Sequence, residues 1–179
     1  MHRTIIKSIL NPFVLFYFRF KLRQFIKNNN KDNGFLILDI DNTLCNTWEY
    51  LKNKKPNKKV SYADIPLLYK TIEHVKENYS KNPIVFISHR NILCFSKTNQ
   101  WIKQNITSKG HLLILVSEPH DKLLYINQIL KKNQIVYYDD LSYNHENGKV
   151  YYYTKIINEI KKLDLIYYDY QFIKKLNSK

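Results

Sequence analysis

Three clusters of polar side chains in this sequence have the residue types and spacing for work on a phosphate. The first is Asp39-Ile40-Asp41-Asn42-Thr43. Two carboxylates two residues apart at the end of a strand can point into one site while the strand hides the rest. One can attack a phosphorus as nucleophile. The other can protonate the leaving oxygen and then activate water. The second cluster is Ser88-His89-Arg90, where a hydroxyl could hold a phosphoryl oxygen and a guanidinium could grip a phosphate in a fork. The third is Asp139-Asp140, an acidic pair suited to an oxygen-preferring cation such as Mg²⁺. Lys122 could neutralise charge on the nucleophile and the phosphate.

Each cluster alone is common. A DxD occurs in many loops, a lone Ser or Lys says nothing, and an Asp pair can cap a helix. Their order and their surroundings add weight, because both acidic clusters and the Ser each end an apolar run. Phe35-Leu36-Ile37-Leu38, Pro83 to Ile87, Leu112 to Val116, Gln134 to Tyr138 and Leu165 to Tyr168 read as strands. Helical spacing is expected between them, at Leu67 to Val75 after a start at Asp64-Ile65-Pro66, then at Ile92 to Ile106, Lys122 to Leu130 and Lys155 to Leu163. Continuous apolar strands alternating with helices predict a parallel sheet of about five strands, covered on both faces. Right-handed crossovers bring the strand C-termini to one edge, where ligands of such folds bind.

With those residues in hand, the sequence resembles the haloacid dehalogenase (HAD) superfamily of phosphatases. Phe35 to Leu44 is similar to its first motif, Ile84 to Ser88 to its second, Lys122 to its third and Asp139-Asp140 to its fourth. The resemblance runs from about residue 34 to 168. It implies a three-layer, Rossmann-like fold and a Mg²⁺-dependent phosphomonoesterase. It also implies roles. Asp39 is the nucleophile that forms an aspartyl-phosphate, and Asp41 is the general acid and base, with its carbonyl near the metal. Thr43 orients Asp41. Ser88 and Lys122 bind the transferring phosphoryl group, with Arg90 beside them, and Asp139, alone or with Asp140, completes the metal site with Asp39. Arg90, Thr98 and Trp101 resemble a pattern of some small phosphatases of the superfamily, including polynucleotide-phosphatase domains; Trp101 also reads as a core anchor. His89 departs from the small residue common there. The stretch from Cys45 to Ala63 is too short for a folded lid, since roughly 40 residues is already small for an independent domain. An open site is therefore expected, with Trp48, Tyr50, Lys52, Lys54, Lys55, Lys58 and Lys59 at its mouth or as a solvated charge run.

The whole-chain balance bounds the choices. Lys plus Arg number 29 against 15 Asp plus Glu, a net charge of +14. That field suits anionic partners, including nucleic acid; a general excess of Lys, Asn, Ile and Tyr explains it equally well. The 44% hydrophobic content excludes wholesale disorder. Two Cys, Cys45 and Cys94, exclude a disulfide scaffold and fit reduced thiols in a cytoplasmic protein. Residues 1–33 form a separate N-terminal segment before a catalytic domain at 34–179. Asn28 to Gly34 is a polar breaker, and Pro12 fits the first turn of a helix. The apolar run from Ile9 to Phe18 is interrupted and falls short of the roughly 20 residues that span a bilayer. The helix either packs on the domain, pairs two copies, or lies on the inner face of a membrane with Lys and Arg on anionic headgroups.

The expectation is thus a phosphatase for a phosphorylated metabolite, a phosphosugar or nucleotide, with surface-glycan synthesis as one setting. The alternatives are a polynucleotide-end phosphatase or nucleic-acid-binding module, and a non-catalytic membrane or protein adaptor. The intact Asp39, Asp41 and Asp139 set argues against the last.

Overall fold

The computed structural model describes residues 2–29, 34–53, 64–131 and 133–178. Lys54, Lys55, Lys58 and Lys59 lie outside the described residues. The apolar runs become β1 (Phe35–Leu38), β2 (Ile84–Ser88), β3 (His111–Leu115), β4 (Ile135–Tyr138) and β7 (Ile166–Tyr168). Every residue of β1 and β4 is buried, as befits central strands of a sheet covered on both faces. The 5-stranded sheet has the order β3-β2-β1-β4-β7 and all its neighbours are parallel. With helices on both faces this is a three-layer, Rossmann-like α/β fold.

The helices are α1 (His2–Asn29), α2 (Thr47–Asn53), α3 (Tyr69–Tyr79), α4 (Phe95–Asn105), α5 (Lys122–Leu130), α6 (Thr154–Ile160) and α7 (Tyr170–Asn177). In α4 the buried residues are Thr98, Trp101 and Ile102, the i, i+3, i+4 stripe of a helix that hides one face. Trp101 is indeed a core anchor, 4% exposed. A short antiparallel hairpin, β5 (Ser142–Tyr143) with β6 (Tyr151–Tyr152), follows β4.

Three elements differ from the sequence reading. Helix α1 runs through Pro12 instead of starting there. A mid-helix proline forfeits one backbone bond, and burial offsets it: Phe18 and Leu22 sit in the main core, with Val14, Phe25 and Ile26 packed against it. Fully burying a Phe or Leu contributes about 1.5–3 kcal/mol. α1 therefore packs on the domain, one of the three placements the sequence left open for it. Helix α3 begins at Tyr69, not near Pro66. Leu67 is bridged to Cys45, and the Leu68 N–H donates to the Leu44 carbonyl at 2.9 Å, which holds this stretch extended. The third difference is the loop after Cys45, which opens with α2.

The abundant tyrosines are largely structural. On neighbouring β4 and β7, Tyr138 stacks on Tyr168 with centroids 4.4 Å apart, and Tyr137 on Tyr167 at 5.5 Å. Tyr79 and Tyr168 share a hydroxyl hydrogen bond of 2.8 Å, and His74 Nδ1 meets the Tyr138 hydroxyl at 2.7 Å. Cross-strand aromatic pairs of this kind stabilise a sheet.

Candidate active site

Parallel register fixes the site. Leu38 pairs with Phe86 on one side and Tyr138 on the other, so Asp39 and Asp139 leave the sheet beside Ser88, the last residue of β2, at its C-terminal edge. The strand order reverses about β1, where such sheets open a crevice. A cavity of about 340 Å³ lies there, lined by Asp39, Asp41, Ser88, Arg90, Lys122, Asp139 and Asp140, with Thr47, Trp48, Tyr143 and Tyr153 among its walls. The residues that sequence spacing grouped on one edge thus converge, with one exception.

The exception is Thr43. It is fully buried and its hydroxyl accepts the Asp140 backbone N–H at 3.2 Å. It braces the Asp139-Asp140 loop, and among the described residues it makes no hydrogen bond to the Asp41 carboxyl. The orienting bonds on Asp41 come from elsewhere. Thr47 Oγ1 donates to Asp41 Oδ1 at 2.5 Å, and Arg90 grips both oxygens, Nε to Oδ2 at 2.7 Å and an Nη to Oδ1 at 2.6 Å. This is the two-pronged geometry that makes Arg–carboxylate pairs strong. Arg90 also lies over the Trp101 ring, 5.9 Å from its centroid. The Arg90–Trp101 pattern in the sequence is therefore a means of aiming the guanidinium. His89 is exposed at the rim of the cavity, its Nε2 2.8 Å from the Ser117 carbonyl.

The turn that carries Asp41 is tight. The N–H groups of Leu44 and Cys45 both donate to the Ile40 carbonyl, and Asn42 sits at φ 54°. Asn tolerates this left-handed backbone better than most residues. On the other side of the cavity Leu141 is strained at φ 41°, which brings its N–H to Asp139 Oδ1 at 2.9 Å.

Lys122 opens α5, and its Nζ bridges Asp39 Oδ1 at 2.9 Å and Asp139 Oδ2 at 2.6 Å. Asp139 is held further by the Tyr137 hydroxyl on Oδ2, while the Tyr167 hydroxyl donates to its carbonyl at 3.0 Å. Asp140 accepts from Ser142 Oγ, which is 2.6 Å from His145 Nε2. The His145 ring stacks on Trp48 at 5.2 Å and ties α2 to the turn at His145–Asn147.

These contacts set the charges. Burial pushes the Asp39 carboxyl up to about 7; Lys122 opposes this, and Asp139 and Asp41 add to it. Burial, then Asp139 and Asp39, hold Asp140 well above the usual carboxylate range. Burial also acts to raise Asp41, but the hydrogen bonds and charge of Arg90, with Thr47, outweigh it and hold this carboxyl below its usual value. For Lys122, burial disfavours the ammonium, yet Asp139 and Asp39 keep it charged.

The donor set suits a hard cation. Oxygens of Asp39, Asp139 and Asp140, all buried, lie within 4.8 Å of one another. One ammonium faces three carboxylates, so a divalent, oxygen-preferring ion would remove a charge imbalance that burial makes costly. Among the described residues, hydrogen bonds engage both oxygens of Asp139 but only Oδ2 of Asp140.

Sequence reasoning missed Thr47, Tyr137, Ser142 and His145. Tyr137 had a signal, since residues two apart on a strand share a face and Tyr137 precedes Asp139 by two. Thr47 had none, because its approach to Asp41 depends on the turn at Asn42. Compared with models of known protein families, with curated proteins and with solved structures, the chain matches none.

Proposed function

We propose that this protein is a metal-dependent phosphomonoesterase that works through a phosphoryl group carried on Asp39. The observation that supports the reading is the meeting of Asp39, Asp41, Ser88, Lys122 and Asp139 around one cavity. Asp39 lies 4% exposed at the sheet edge beside Lys122, whereas Asp41 is gripped by Arg90 and Thr47. Without ligand these surroundings favour a protonated Asp39 and an ionised Asp41; a cation beside Asp39, and a phosphate that draws Arg90 off Asp41, would exchange the two states.

In this reading an Asp39 oxygen attacks phosphorus and the bond to the substrate's leaving oxygen breaks. Asp41, having taken up a proton from the incoming phosphate monoanion as Arg90 moves off it, delivers that proton to the leaving oxygen, and the alcohol departs. Water then attacks the phosphorus of the aspartyl-phosphate, passing a proton to Asp41. The Asp39–phosphorus bond breaks, inorganic phosphate leaves and both carboxyls return to their starting states. Lys122 and Ser88 bind the non-reacting phosphoryl oxygens. An arriving phosphate gives Arg90 a second anion, and its transfer from Asp41 to the phosphate frees Asp41 to carry the proton. Asp39, Asp140 and Asp139 would hold a divalent cation such as Mg²⁺, which supplies charge to offset the phosphoryl oxygens.

The substrate class in this reading is a small phosphorylated metabolite, a phosphosugar or a nucleotide. The test is phosphate release from sugar phosphates, nucleotides and end-phosphorylated oligonucleotides, with Mg²⁺ or with chelator. Release that needs Mg²⁺ and vanishes in Asp39→Asn supports the reading. Release that survives Asp39→Asn removes Asp39 as nucleophile.

A further inference from the structure

Helix α1 shows two different faces. Phe18 and Leu22 are 2% and 0% exposed in the core. Phe13, Phe16, Tyr17 and Phe20 are 71, 73, 51 and 49% exposed. At 3.6 residues per turn, positions i, i+3, i+4 and i+7 form a single stripe, here nearly opposite Phe18 and Leu22. One side of α1 is thus committed to the domain, and the other holds four large rings in water. Soluble proteins rarely leave such a contiguous apolar patch without a partner.

The charges around the stripe select the partner. Lys21 flanks it on one side, its Nζ 5.7 Å from the Tyr17 ring centroid, and exposed Arg19 and Arg23 flank it on the other. The sequence of α1 contains no Asp or Glu. A second copy seated on this stripe would set cations against the same cations, with no acid on either helix to pair them. An anionic lipid surface pairs with each cation and accepts rings at the boundary between headgroups and acyl chains. Among the described residues no helix is long and apolar enough to cross a membrane, so the fitting arrangement lies on the surface.

We propose that the exposed face of α1 docks this protein onto a lipid bilayer with anionic headgroups. The docked face lies toward the edge of the sheet that holds the site. Phe25 of α1 meets Phe35 at the start of β1, while Phe18 meets Phe95, which opens α4 just beyond the C-terminal end of β2. The N-terminal half of α1 therefore rises toward the C-terminal edge of the sheet. Ile92 and Leu93, between Arg90 and Phe95, are 41 and 87% exposed and extend the apolar surface along that edge. Docking brings the cavity beside the headgroups. The inference does not depend on the phosphatase reading, because binding to vesicles is measured without turnover.

The test is flotation of the full chain with vesicles of phosphatidylcholine alone and of phosphatidylcholine mixed with phosphatidylglycerol. The wild type should float with the mixed vesicles, less at high salt and far less with the neutral ones. The triple variant Phe13→Ser, Phe16→Ser, Phe20→Ser, checked by circular dichroism, should lose about tenfold or more of its binding while staying folded. Arg19→Gln with Lys21→Gln and Arg23→Gln should bring binding down to the level on neutral vesicles. Equal flotation of wild type on both vesicle types, or unchanged flotation of the folded serine variant, overturns the proposal. So does a wild-type dimer in sedimentation that the serine variant converts to monomer, which would give the stripe to a second copy.

Discussion

Replacing Lys122 by Met should destabilise the metal-free protein by about 3–5 kcal/mol, the cost of removing one partner from a buried ion pair. The structure sets this high for a single substitution. The Lys122 side chain is 5% exposed and bridges Asp39 and Asp139, themselves 6% and 1% exposed. Met has a similar volume, so little of the effect is a cavity. What remains is an acidic cluster with no ammonium in it. The loss should depend on pH with a definite sign. Burial already lifts Asp39 from 3.8 to about 7. A carboxyl raised in the folded state contributes stability that is complete below about 4 and is lost as the pH rises toward 7. Removing Lys122 lifts Asp39 further, so the deficit of Lys122→Met should be smallest near pH 4 and should grow as the pH rises to 7 and beyond. Urea denaturation in chelator, at several pH values, measures it. Added Mg²⁺ should restore part of the deficit by binding only the folded state. A Lys122→Met protein within 1 kcal/mol of wild type at pH 7.5, with no trend toward pH 4, would refute the assignment of Lys122 as the counter-charge.

Three further expectations concern other parts of the structure. Phe18→Ala should cost about 3–5 kcal/mol in denaturant unfolding and Leu22→Ala about 2–5, because both are buried core residues; values under about 1 kcal/mol would mean that α1 is only an appendage. Thr47→Val removes a bond to Asp41 of roughly 1.5–3 kcal/mol. It should lower kcat more than it raises KM and shift the pH profile, with Thr47→Ser restoring both; an unchanged profile would leave Asp41 to Arg90 alone. Cys45 is fully buried and burial pushes its thiol up to about 12, whereas Cys94 is half-buried. A thiol reagent at pH 8 should therefore modify Cys94 first and Cys45 only on unfolding; two equally fast thiols would contradict that burial.

The sequence was legible where burial alone decides. Leu36, Ile37, Val85 and Ile114 could only be interior strand residues, and five apolar runs of this kind foretold the sheet. The convergence of Asp39, Ser88 and Asp139 followed from parallel strands. Contacts made by irregular backbone were not legible. Thr47 reaches Asp41 through a left-handed Asn42, and Ser142 reaches Asp140 past a strained Leu141. No periodicity records either bend. Pro12 misled for a related reason. Its local cost is outweighed by core contacts of α1 that lie far away in sequence, such as Phe18 against Phe95 at 6.1 Å. The positive charge had looked general, and α1 shows that part of it is organised around four rings.

The central claim is the covalent role of Asp39. A substrate found by the phosphatase screen should be mixed with the protein and Mg²⁺, quenched in acid within one turnover, and the peptides examined by mass spectrometry. A phosphoryl group should appear on Asp39, one that hydroxylamine removes and that Asp39→Asn never acquires. Rapid turnover with Asp39 unmodified at every quench time, or full activity in Asp39→Asn, would contradict it.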